Sequence, residues 1–402
     1  MKKTKIIFIF LVFFYPLHNN RMHSEIKKKV KEEEINPTHG FNLHIDFSNS
    51  IQNKIKDELF DEYLFLSDDL KLDFKGKPDN KHTTFRFVQK FEIKDKNKNE
   101  DKVDKNDLSY SYNYLSPLID LAYIKYNLNK KLSFVIGKQY PTFKEIESNI
   151  NFHRYPKKFK NKDNPFGINI IYKPIKNQEI QLQIVKSNSM KYYYNIPTKV
   201  NYVIVDNPIG FSLGLNWSLF NKIIRNKWSY SIFQEDEKDR YWKYIALESG
   251  FHLKSFSLDV NYMFSDEDRE RDDLISQIIR LCQDNDKFIV SIKSKTYLIQ
   301  AQYDFFPQWR LLAKGAYETE SFKRNIDELY DLVVENKEFK REYSYLGCIE
   351  YYPYKPNKEN LKFYVSYERH KMNYINMIKR YCKNHKDDHI VSFGLKYRIK
   401  LI

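Results

Sequence analysis

What this chain lacks narrows its function before anything else does. Cysteine occurs only at Cys282, Cys348 and Cys382, never as C-x-x-C, so neither a disulfide framework nor a zinc site is encoded. A loop-to-loop bridge between Cys282 and Cys382 is the one pairing left open in an oxidising compartment. No G-x-S-x-G, H-E-x-x-H or P-loop sequence is present, and the enzyme classes those motifs mark drop out. His385 and His389 stand four apart without a third ligand, while His44, His252 and His370 fall on separate segments. No enzyme, metal or cofactor is expected. Beyond Tyr15 no apolar run approaches the roughly 20 residues that a membrane-crossing helix needs, which excludes a helical membrane protein.

Aromatics are abundant instead, with 32 Tyr and 30 Phe, while Gly is held to 10 residues. Both features lie off the composition of an ordinary soluble domain. The net charge of +15 comes from 68 Lys and Arg interleaved with 53 acids along the whole chain. A nucleic-acid footprint is a clustered stripe or patch, so no nucleic-acid partner is expected. Met1–Lys5 carries three lysines and is followed by the apolar run Ile6–Tyr15. That run suits the core of a secretory signal and is too short to span a bilayer. Residues 1–24 are therefore expected to be a signal peptide, 25–38 a charged periplasmic leader, and 39–402 the body of the protein.

From Phe41 onward the dominant signal is alternation. Phe41, Leu43, Ile45 and Phe47 share one side of their segment; Phe211, Leu213, Leu215 and Trp217 do the same, as do Phe393, Leu395, Tyr397 and Ile399. Period two with one apolar and one polar face means β-strands. A soluble sandwich and a membrane barrel both show it. Length separates them, because these segments run about ten residues, enough for a tilted strand to cross a bilayer. Rings also gather at segment ends, as in Phe305–Phe306–Trp309, Trp217–Phe220 and Tyr351–Tyr352–Tyr354, where a barrel's interfacial girdles sit.

About sixteen strands are predicted, the first near 41–48 and the last near 389–400. The gaps between them alternate. Short connections such as Asn127–Leu132, Lys173–Gln178 and Phe305–Trp309 take turns with long ones at 94–117, 140–164, 188–207 and 265–294. Short periplasmic turns, long extracellular loops and an even strand count are the layout of an all-β, antiparallel transmembrane barrel of the outer membrane.

Two segments carry a family resemblance. Asp68–Glu92, DDLKLDFKGKPDNKHTTFRFVQKFE, resembles the early hairpin of the phosphate-selective porins O and P. Ile119–Phe143, IDLAYIKYNLNKKLSFVIGKQYPTF, looks like that family's strand, turn and strand ending in G-K-Q before an inserted loop. The glycine-rich continuation usual after that G-K-Q is here Tyr140–Glu147, YPTFKEIE. The resemblance implies a sixteen-stranded barrel, a homotrimer, and a third long loop folded into the lumen. Mapped here, that loop is Tyr140–Asn164, with Arg154, Lys157, Lys158, Lys160 and Lys162 in its second half.

Selectivity in a wet pore comes from the charges that line it. Alternation assigns Arg86, Lys90, Lys125, Lys173, Arg310, Lys314, Lys396 and Arg398 to the inward face, with Asp46, Glu92, Asp259, Asp304, Glu318, Glu350 and Glu368 among them. That wall is mixed with a mild positive excess, and the third-loop lysines tip it further if the loop enters the lumen. The same lysines read equally well as a solvated loop face. The expected function is passive diffusion of small hydrophilic solutes with a preference for anions such as phosphate. A barrel plugged by its loops, serving as receptor or anchor, is the alternative.

Overall fold

A computed structural model describes residues 40–55, 65–78, 82–93, 119–143, 164–186, 192–196, 199–203, 209–234, 240–270, 275–276, 290–323, 337–354, 361–374 and 387–400. The signal peptide and leader expected at 1–38 lie outside them, as do Cys282, Cys382 and His385. The strands are β1 (Gly40–Ile55), β2 (Phe65–Lys77), β3 (Thr83–Ile93), β4 (Ile119–Asn127), β5 (Leu132–Lys138), β6 (Phe166–Tyr172), β7 (Gln178–Lys186), β8 (Tyr192–Ile196) and β9 (Lys199–Val203). They continue as β10 (Ile209–Leu219), β11 (Ile224–Gln234), β12 (Tyr241–His252), β13 (Phe256–Glu267), β14 (Ile292–Phe306), β15 (Trp309–Phe322), β16 (Glu338–Tyr351), β17 (Leu361–Tyr374) and β18 (Asp387–Lys400).

Sixteen of these close into one antiparallel barrel, each beside its sequence neighbour, with β10 pairing β7 and β18 pairing β1. Closure leaves no unpaired edge, the condition for crossing lipid with strands. The other two, β8 and β9, form a separate hairpin inside the connection read from sequence as plain loop 188–207. Several strands also outrun the sequence estimate. β1 reaches Ile55 and β16 begins at Glu338, because pairing continues past the apolar stretch that marked each strand.

Burial alternates as the pattern requires. On β10, Phe211 and Leu213 point out and are exposed, while Ser212 between them is 2% exposed. On β14 and β15, Ile299 and Leu311 face out, and Gln300, Thr296 and Glu318 are buried within. Apolar outside and polar inside inverts a soluble protein, and suits a wall with lipid on one side and water on the other.

Aromatic rings bound the outward apolar band. At its long-loop edge Tyr262, Tyr297, Tyr317 and Tyr343 are successive cross-strand partners on β13 to β16, with centroids 5.1, 6.4 and 4.9 Å apart. At the turn edge Trp309 packs on Tyr351 at 4.8 Å, and Trp217 on Trp228 at 5.6 Å. Eight residues separate Trp309 from Tyr317. A tilted strand climbs about 20 Å over that length, close to the roughly 25 Å band of an outer-membrane barrel.

Candidate functional site: the barrel lumen

The lumen wall is built by the polar half of each strand's alternation. Arg86, Lys90 and Lys125 stand on the inward positions of β3 and β4, and Thr84 and Lys125 are cross-strand partners. Arg86 donates from Nε and Nη2 to both oxygens of the buried Asp73 on β2, each at 2.9 Å. Lys75 reaches the same carboxylate at 3.4 Å. Lys71 and Lys75 add to the cations of this β2–β4 arc, where Asp69, Asp73 and Glu92 hold inward register positions and Asp120 lies close to Lys71; Lys75 and Lys90 are exposed.

The opposite arc is acidic but closed off. Lys340 of β16 lies within 3.4, 3.2 and 2.8 Å of Glu318, Glu320 and Glu342. His370 on β17 meets Glu342 through Nε2 at 2.6 Å, and Lys362 donates to Glu350 at 2.7 Å. All of these side chains are buried. Buried charges in this number persist only when paired. The inward acids that water reaches are paired as well. Asp304 holds Arg310 at 2.6 Å, Asp259 holds His252 at 3.0 Å, and Glu179 holds Lys173 at 3.1 Å.

The wall also carries an apolar island. Val185, Phe233, Trp242, Tyr244, Ala246 and Met263 occupy inward positions of β7, β11, β12 and β13. Phe143, from the connection after β5, packs among them edge-on to Phe233 and Trp242 at 5.9 Å each. The chain just before it is pinned to the wall: Gln183 donates to the carbonyl of Tyr140 at 2.9 Å, and its Oε1 accepts from the Thr142 amide at 3.1 Å. Gly214 on β10 makes room, since a Cβ there would come 3.3 Å from Thr142. The root of the third long loop, Gln139–Phe143, therefore turns inward. Arg154, Lys157, Lys158, Lys160 and Lys162 lie outside the described residues.

Sequence reasoning placed Arg310, Lys314, Lys396 and Arg398 on the inward face, and each occupies an inward register position, Arg310 opposite Glu350 and Lys396 opposite Lys362. Lys173 lies in the turn after β6 rather than on a strand face, and Lys314, on an inward position of β15, is buried. The Lys340 cluster and the aromatic island went unnoticed. The signal for the island was present, because Phe233, Trp242 and Tyr244 put rings on positions where alternation calls for polar residues.

At the long-loop end, a second structured patch surrounds Glu270. Its carboxylate accepts from the amides of Ile275 and Ser276 at 2.9 and 2.7 Å and from the Ser276 hydroxyl at 2.9 Å. Burial nevertheless pushes this acid up to about 7. Nearby, Lys323 bridges Asp266 and Asp268; burial works against its charge, but the two carboxylates outweigh that and raise its pKa.

Residues 221–399 match the family model described as phosphate-selective porin O and P. No curated protein matches the chain. Among solved structures, the outer-membrane channel DcaP of Acinetobacter baumannii aligns over 89% of this chain and 97% of its own, with TM-score 0.58 and 11% identity. The trimer form of in-vitro folded OmpT of Vibrio cholerae aligns over 90% of this chain and 100% of its own, with TM-score 0.53 and 10% identity. At such identities the likeness shows the fold. With the family match, it makes the chain an outer-membrane β-barrel of the porin kind, similar over residues 221–399 to the phosphate-selective porin O and P family.

Proposed function

We propose that the pore passes small hydrophilic solutes by diffusion and prefers anions, phosphate among them. One observation carries this reading. Lys75 and Lys90 stand exposed on the β2–β4 arc, whereas Glu318, Glu320, Glu342 and Glu350 on β15 and β16 are buried and paired to lysine or histidine. A solute feels accessible, uncompensated charge most, since low-dielectric walls focus that field into the passage. Lysine and arginine donors can hold an oxyanion briefly through charge-assisted hydrogen bonds. Arg154, Lys157, Lys158, Lys160 and Lys162 would add to the same sign. The name of the matched family supports phosphate as a solute, and the trimer form of OmpT supports a homotrimer as the assembly.

The test is the reversal potential of the purified porin in a planar bilayer under a salt gradient. Anion-selective sign is expected, moving toward zero when Lys75, Lys90 and Lys125 become Gln. A cation-selective sign in the wild type sinks the proposal. A second reading, a barrel plugged by its loops, draws on the near-complete burial of Glu318, Ser344 and His370 on the lumen wall. Absence of conductance from a folded, heat-modifiable barrel would favour it.

A further inference from the structure

Alternation sorts lysines and arginines on the outer wall as well as on the inner one. On the lipid-facing positions of the described barrel strands, the half next to the short turns carries no lysine or arginine. The half next to the long loops carries them on β5, β7 and β12, at Lys138, Lys186 and Lys243, and in a group on β14, β16 and β17. Lys293, Lys295 and Arg341 of that group lie just beyond the tyrosine row. Lys295 pairs across to Thr319, and Thr319 to Arg341, so the two cations bracket a hydroxyl. Neighbouring strands are about 4.8 Å apart, which puts their Cα atoms about 10 Å from each other. Lys371 sits beside Tyr343, one step nearer the apolar band, with Arg369 below it.

The patch is not a set of closed ion pairs. Arg341 holds Glu338 at 2.6 Å and Arg369 holds Asp387 at 2.8 Å. Among the described residues, Lys295, Arg341, Arg369 and Lys371 thus face two carboxylates, an excess of two positive charges. A cation at this depth lies at the level of headgroup phosphates. Lysine abundance alone would load both edges of the band equally. The long-loop edge faces the outer leaflet, which in a Gram-negative outer membrane is built of phosphorylated glycolipid.

We propose that the outward surface of β14–β17, centred on Lys295, Arg341 and Lys371 around Thr319, is a binding site for the phosphate groups of the outer-leaflet glycolipid. Arg341 supplies a planar guanidinium suited to phosphate oxygens, and the two lysines supply point charges around the buried Thr319. The apolar band below, Ile299, Leu311 and Ile349, receives the acyl chains.

The test uses the full-length porin in detergent and a diphosphorylated glucosamine-disaccharide glycolipid, with bound lipid counted by native mass spectrometry. The wild type is expected to retain it. The triple variant Lys295→Gln, Arg341→Gln, Lys371→Gln should bind about a hundredfold more weakly, since each cation near an anionic surface is worth about a fivefold change. Thr319→Glu, which sets a carboxylate among the cations, should lose the lipid while keeping β-sheet content and single-channel conductance. The dephosphorylated glycolipid should bind neither protein well. Equal retention by wild type and triple variant overturns the proposal. So does equal retention of phosphatidylglycerol and the diphosphorylated lipid by the wild type, which would mean undirected attraction to anionic lipid.

Discussion

The rings of Phe143 and Tyr244 lie 4.8 Å apart, centroid to centroid, and that contact fastens a loop root to the inner wall. Phe143 also touches Phe233 and Trp242, so truncation removes three ring contacts at once. Removing a buried phenyl ring costs about 3–5 kcal/mol where the site cannot collapse. Here the loss should fall on the attachment of the third loop, because the barrel's backbone ladder does not pass through Phe143. Phe143→Ala is expected to raise single-channel conductance and to admit larger sugars in liposome swelling, with β-sheet content unchanged. Wild-type conductance and size cut-off in the variant would show that the root does not govern the passage.

Much of this molecule was legible in its sequence for a simple reason. In a barrel, the side chain's surroundings are decided by one bit, in or out, and a period of two writes that bit directly. Ile299 and Gln300 could be assigned without coordinates. Pairing distance could not. Glu318, Glu320, Lys340 and Glu342 come from two strands whose joining segment reveals nothing about register, so their meeting at Lys340 had to await the fold. The β8–β9 hairpin was missed because strands of five residues inside a long connection leave no sustained alternation. The Phe143 anchor was missed because a loop residue carries no periodic signal.

The Lys340 cluster leads to a second prediction. One ammonium serves three buried carboxylates, and taking it away leaves negative charges together in a low-dielectric wall. Removing one partner from a buried ion pair costs about 3–5 kcal/mol. Lys340→Met should therefore lower the urea midpoint for unfolding in lipid vesicles and shift ion selectivity toward cations. Adding Glu342→Gln to it should restore part of both. Independent, additive effects of the two substitutions would refute the coupling.

Parity of the wall gives a third. Ile299 and Val365 face lipid near the middle of the apolar band, whereas Ser366, beside Val365, faces inward. A lysine or arginine at the bilayer midplane costs about 2–4 kcal/mol in such a barrel. Val365→Arg should destabilise the folded barrel in bilayers by that order and slow its insertion. Ser366→Lys should be tolerated far better, altering selectivity rather than folding. If the two substitutions cost the same stability, the assignment of faces on β17 is wrong.

Glu270 supplies a dependence on pH whose sign can be worked out. Burial raises this acid to about 7, against 4.5 as its ordinary value, even though the amides of Ile275 and Ser276 and the Ser276 hydroxyl favour the ionised form. Between those values the folded patch binds more protons than its opened form, so its stability falls as pH rises from about 4.5 to about 7 and levels off above. The ceiling on the change is on the order of 3 kcal/mol. Ser276 ties the carboxylate to Val290 through its own hydroxyl, which accepts from the Val290 amide at 3.1 Å, so loosening should spread across the base of the 268–291 connection. Hydrogen exchange at Ile275, Ser276 and Val290 should accelerate across that window beyond the intrinsic base-catalysed rate. Glu270→Gln keeps a neutral acceptor in place and should flatten the profile while leaving exchange in the strand ladder of β14 and β15 as it was. Acceleration that persists unchanged in Glu270→Gln would assign the pH response to another group.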